Sequence, residues 1–132
     1  MKKVKDNIIR FESPWKENQF YNLLPIKTYY KDKKRLAVML YDMDAIERFA
    51  VLTVYLTDAI ISKKNCAYVD MNNCSWAKEF FEKSGLAVPT KRKFQSGYCI
   101  YPEWEFNMSK LLDLDTLTKY YKKSKCKTRI VM

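Results

Sequence analysis

Cys74 is the side chain best placed by sequence to act as a nucleophile. It falls in the first turn of an expected helix, where exposed backbone N–H groups lower a thiol pKa and favour thiolate. Asp70 opposes that shift, and a chain with no histidine offers no imidazole to take the thiol proton. The same lack removes Ser-His-Asp and Cys-His catalysis, the HExxH zinc site and the commonest general base at neutral pH. Neither GxxxxGK[ST] nor GxGxxG occurs, so the familiar glycine-rich phosphate cradles are missing too. Other acid–base or metal work would fall to the carboxylate pairs Asp42/Asp44 and Glu103/Glu105. The first pair lies in a turn, where Asp serves local hydrogen bonds; the second shares a strand face and is suited to a neighbouring lysine. The structural alternative for Cys74 is a small residue packed under the helix start, and Cys66 and Cys99 read as buried apolar residues. The four cysteines, Cys66, Cys74, Cys99 and Cys126, show no CxxC spacing and read as reduced thiols. No metal site and no cofactor is expected.

Binding chemistry is more strongly marked. The formal net charge is +10 on 132 residues. From Leu117 onward there is no acid, only Lys119, Lys122, Lys123, Lys125, Lys127 and Arg129, with Tyr120 and Tyr121 among them. Two further clusters are Lys31/Lys33/Lys34/Arg35 and Lys91/Arg92/Lys93. Neutralising phosphates with such side chains releases counterions and raises affinity without reading sequence. If two or three clusters converge on one face, they form a continuous positive patch. Tyr120, Tyr121, Tyr98 or Trp104 beside it would stack on unpaired bases, each at about 1–3 kcal/mol. Lys91–Lys93 and the C-terminal run are therefore the expected contact surface for nucleic acid or an acidic protein. A secondary candidate is Asp70-Met71-Asn72-Asn73. Asp70, Asn72 and Asn73 either hold a sharp strand-to-helix turn through backbone hydrogen bonds or touch a ligand.

These groups must be positioned by one domain. Hydrophobic residues make up 48% of the chain and aromatics 15%, enough to bury a core, while Gly 2 and Pro 4 leave little for linkers. No apolar stretch approaches the ~20 residues of a membrane span, and no secretory pattern opens the chain, so a cytoplasmic protein with no membrane partner is expected. Residues 1–25 read as an arm or edge segment. β-rich runs follow at Ile26–Lys31, Arg35–Asp42 and Glu47–Leu56, with a connection at Asp58–Lys64 and a short strand at Cys66–Asp70. A helix capped by Asn72 or Asn73 runs to about Ser84, with Gly85 after it. Leu86–Gln95 reads as a basic loop and Tyr98–Phe106 as a strand. Ser109 caps a last helix to about Lys122, and 123–132 form a basic tail. The expected fold is α+β over residues 26–122, an antiparallel sheet of about five strands covered on one face by two helices.

Several blocks, taken in order, resemble one known pattern. They are Leu52-Thr53-Val54, Cys66 to Asn73, Trp76 to Phe80, Gly85-Leu86, Pro89-Thr90 and Ser96-Gly97-Tyr98-Cys99-Ile100-Tyr101-Pro102. The chain is similar to an uncharacterised domain family of small proteins carried by phages and conjugative elements of gut Firmicutes and Bacteroidetes. Where the family pattern has Asn, Thr and Gly, this chain has Tyr55, Met71 and Lys91. The resemblance brings no catalytic residues. It implies a non-enzymatic accessory protein of a mobile element, in its sharpest form an anti-CRISPR-type inhibitor binding a host nuclease effector or other nucleoprotein. The alternatives are a general DNA- or RNA-binding module of the element and an enzyme using Cys74 or a carboxylate pair.

Overall fold

The computed structural model describes residues 4–123. Its centre is an antiparallel pair, β2 (Phe20–Tyr29) and β3 (Leu36–Asp42), in register from Leu23↔Asp42 to Tyr29↔Leu36. β1 (Ile9–Glu12) pairs with Phe20–Leu23 on one side, and β4 (Glu47–Val51) adds to β3 on the other. The two-residue β8 (Leu112–Asp113) lies parallel to Ile26 and Lys27, completing a five-stranded sheet. Pro25 falls in the gap between the partners β1 and β8, where that edge of β2 demands no N–H. A smaller antiparallel sheet has the order β5 (Cys66–Tyr68), β7 (Cys99–Phe106), β6 (Ala87–Ser96). The chain passes between the sheets at residues 52–54: Leu52 N–H donates to Val38 O at 2.9 Å and Val54 N–H to Tyr68 O at 3.0 Å.

The α+β class and the sheet of about five strands agree with expectation, but the helices do not share a face. Phe80 and Phe81 of α1 (Ala77–Ser84) pack with Leu23, Leu36, Val38 and Leu40, and with Trp104 and Phe106 of the small sheet. Leu117 and Tyr121 of α2 (Leu114–Lys123) pack with Leu24, Ile26 and Tyr41. Neighbouring strand residues point to opposite faces, so the helices cover opposite sides of the main sheet. The near-continuous apolar run Leu36–Tyr41 is the mark of a strand buried on both sides.

Local boundaries shift for identifiable reasons. β2 begins at Phe20, because β1 supplies a partner for its first residues, so a domain start at residue 26 falls inside a strand. The N-terminal segment is built in, with Val4 and Phe11 buried and Phe11 meeting Phe80 edge-on at 5.0 Å. Leu86–Gln95 is mostly strand, not loop: β6 gains its ladder from β7 despite polar side chains. α1 starts at Ala77 with Trp76 at its N-cap and no side-chain cap; Asn73 falls in the preceding turn, three residues too early to cap, and donates from Nδ2 to Asp70. Gly85 closes it at φ +70, its N–H on Phe81 O, as a left-handed C-terminal glycine should. Ser109 sits in a single 3-10 turn, Met108–Lys110, capped by Asn107, and α2 begins only at Leu114.

Candidate functional site

The pairing of β6 with β7 is interrupted after Pro89↔Trp104 and resumes at Lys93↔Pro102. Three residues, Thr90, Lys91 and Arg92, therefore stand opposite Glu103 alone. Lys91 takes up the extra length at φ +74, a left-handed conformation that side chains disfavour and the position where the resembled pattern has glycine. Glu103 is fully buried. Its Oε1 accepts from the Ser62 hydroxyl at 2.6 Å and the Thr90 hydroxyl at 2.8 Å, and Oε2 accepts from Ser62 N–H at 2.9 Å. The Arg92 guanidinium lies at 3.9 Å. Burial alone pushes this carboxyl up; the Ser62 and Thr90 donors, with Arg92, outweigh it and hold the group below its ordinary value. Glu103 is thus an ionised, fully bonded anchor that fastens the 61–65 turn to the small sheet. Around it Tyr68 OH donates to Ile60 O at 2.6 Å, Lys63 Nζ pairs with Glu105 at 3.6 Å, and Asn65 Nδ2 donates to Phe106 O at 3.1 Å.

A second anchor fixes the β2–β3 hairpin. Asp32 Oδ1 accepts from the Lys34 and Arg35 N–H groups, each at 2.9 Å, which holds its carboxyl below the usual range. Arg35 pairs with Asp32 at 3.1 Å and donates from Nη2 to Thr57 O at 3.1 Å. Tyr30 stacks on Tyr55 with centroids 4.7 Å apart and shares a hydrogen bond with Thr53 at 2.9 Å. Between this hairpin and the 61–64 turn opens a cleft of about 630 Å³, lined by Tyr29, Lys33, Lys34, Ile61, Lys63 and Lys64. No acid lines it. Among the described residues only Lys63 of the four lysines has a carboxylate within ion-pair distance. Tyr29, the last residue of β2, is 46% exposed and has no ring contact among the described residues.

Two of the three basic clusters approach each other. Arg92 reaches the same Glu103 carboxylate as Ser62, next to Lys63, while Lys91 and Lys93 stay exposed on the edge strand β6. The third cluster does not join them within the described residues. Tyr121 is buried beside Tyr41 and donates to Met43 Sδ at 3.8 Å, just past the Asp42 end of β3. The cleft lies beyond the Leu36 end, a seven-residue strand away, roughly 20 Å. Tyr121 and the half-buried Tyr120 complete a core, so neither forms the expected stacking platform. Trp104 is likewise buried against Phe81. Tyr98 is fully exposed at the tip of the β6–β7 hairpin, following Gly97 at φ +62. Lys119 pairs with Asp115 at 3.0 Å, Lys122 is exposed, and Lys123 closes α2. Lys125, Lys127 and Arg129 lie outside the described residues.

The catalytic candidates resolve into structural roles. Cys74 precedes α1 instead of opening it, is buried, and directs its thiol at Val51 O at 3.5 Å. Burial first and Asp70 second push that thiol up to about 11, the opposite of activation. Asp70 accepts from Asn73 N–H at 3.3 Å and Asn73 Nδ2 at 2.7 Å, holding the turn, while Asn72 is exposed. Asp42 Oδ1 accepts from Asp44 and Ala45 N–H, each at 3.0 Å. Among the described residues no group of three or more His, Cys, Asp or Glu is placed to hold a metal ion, and no helix is long and apolar enough to cross a membrane.

A family model described as a domain of unknown function, DUF4313, matches residues 23–123. The chain belongs to this family. No curated protein and no solved structure matches it. The matched segment of this DUF4313 protein contains every residue of the lysine cleft and the Glu103 anchor. Of the cleft residues, Tyr29, Ile61, Lys63 and Lys64 escaped sequence reasoning. Their signal was the doublet Lys63-Lys64 in what looked like a plain connection.

Proposed function

We propose that this DUF4313 protein acts by binding a nucleic acid or nucleoprotein through the lysine cleft. The observation that carries the reading is the convergence of Lys33, Lys34, Lys63 and Lys64 on one concavity with no acid in its wall. Four like charges in a cleft repel one another, and anchors at Glu103 and Asp32 hold the two segments that carry them. A polyanion relieves that repulsion and releases its own counterions. The exposed Lys91 and Lys93 extend the positive surface along β6. An anti-defence role, in which a mobile-element protein occupies the guide RNA or nucleic-acid channel of a host nuclease, is the sharper form of the proposal. It draws its support from the sequence pattern alone.

Fluorescence anisotropy with a labelled oligonucleotide across a salt series tests the reading. Four phosphate contacts give a log–log slope of about −3 on a single strand. No binding at low salt overturns it. Tight binding to bare nucleic acid favours a general binding module; binding that becomes tight only with a nuclease effector present favours the inhibitor.

A further inference from the structure

We infer that the cleft takes a single strand, with lysines along its phosphates and an unpaired base against Tyr29, and that it does so without regard to base sequence. This rests on the nucleic-acid reading above and specifies its ligand. At about 630 Å³ the cleft has the size of an enclosed small-ligand pocket, roughly 300–1,000 Å³, and admits a nucleotide or two. A duplex keeps its bases stacked inside; its phosphates would meet the lysines, but no base would reach the ring. Tyr29 has what a stacking platform needs: half its surface free, no ring partner among the described residues, and the apolar Ile61 lining the same cleft. Sequence tolerance follows from which cations line the cleft. Neither of the two nearby arginines, whose planar forks suit bidentate base recognition, lines the cleft: Arg35 is held on Asp32 and Thr57, and Arg92 sits on β6 with its Nε 3.9 Å from Glu103. What remains is lysine, a point charge that tracks a backbone and reads no base edge.

The test is anisotropy with the full chain against short oligothymidine, oligoadenosine and a duplex of equal length, for wild type, Tyr29→Ala and Tyr29→Phe. Tyr29 sits exposed at a strand end, so both variants should melt as wild type does. The single strands should bind within a few-fold of each other and well above the duplex. Tyr29→Ala should weaken them roughly 5- to 150-fold with the salt slope unchanged, and Tyr29→Phe should restore binding. A duplex bound as well as the single strand, or full single-strand affinity in Tyr29→Ala, overturns this inference while the nucleic-acid reading stands. If neither form binds, or if only an acidic polypeptide such as polyglutamate does, both fall together.

Discussion

Glu103 and the lysine cleft adjoin the same turn, residues 61–65, and are built on opposite principles. At Glu103 a charge is taken fully out of water, and the hydroxyls of Ser62 and Thr90, a backbone N–H and Arg92 answer it. In the cleft four charges stay at the surface, and among the described residues only Lys63 forms an ion pair, with Glu105. A buried ion must be satisfied internally or the fold loses stability; an exposed lysine is satisfied by water and remains free for a partner. Stability should therefore follow the first region and binding the second.

The largest effect should come from removing the open charges. Replacing Lys33, Lys34, Lys63 and Lys64 together with Gln should lower oligonucleotide affinity roughly 100-fold at low salt and flatten the salt slope. The melting temperature should stay nearly unchanged, because exposed charges contribute little to stability. A large fall in melting temperature would break the contrast. Cys74 belongs with the closed region. In a variant that keeps it as the lone cysteine, alkylation at pH 8 should run about 100-fold slower than for a free thiol, given a thiol raised to about 11. Reaction at the free-thiol rate would reopen the enzyme alternative.

Glu103→Ala should destabilise the fold by about 2 kcal/mol, the scale of lost hydrogen bonds to a charged group, read by denaturant unfolding. The pH dependence has a definite sign. A folded carboxyl held below its ordinary value binds protons less readily than the unfolded one. Its contribution is thus complete above the unfolded value, about 4.3, and is lost as pH falls through the lower folded value. Glu103→Gln should flatten that acid limb. The same variant sharpens the comparison further. Deleting a negative charge near the lysines would by electrostatics tighten oligonucleotide binding, whereas loosening the 61–65 turn would weaken it; a several-fold weakening is expected, and tightening would show that Glu103 does not position the cleft. The smallest effect is Lys91→Gly, which relieves a left-handed side chain at some cost in unfolded-chain entropy and should raise stability by up to about 1 kcal/mol.

What could be read from the sequence was local. The hairpin at residues 31–34, the Gly85 cap and the α+β class rest on turn chemistry and short-range periodicity. The double-sided burial of β3 was written in Leu36–Tyr41, but a run apolar at every position does not say what lies on each side. β6 was hidden because its ladder depends on β7 and its side chains stay wet. Glu103 looked like a surface acid, since carboxylates are almost never fully buried without partners, and its partners Ser62 and Thr90 lie 41 and 13 residues away. The cleft has the same origin. Lys33-Lys34 and Lys63-Lys64 meet through tertiary structure, a hairpin held by Asp32 set beside a distant turn held by Glu103. Tyr120 and Tyr121 misled in the other direction, since aromatics beside lysines suggest stacking while an amphipathic helix turns such rings inward.

The most direct measurement is an NMR titration of the isotope-labelled protein with a short single-stranded oligonucleotide. Shifts should concentrate at Tyr29, Lys33, Lys34, Ile61, Lys63 and Lys64 and fade at high salt. Perturbations confined to the β6–β7 tip around Tyr98, or to the end of α2, with the cleft unmoved, would contradict the account.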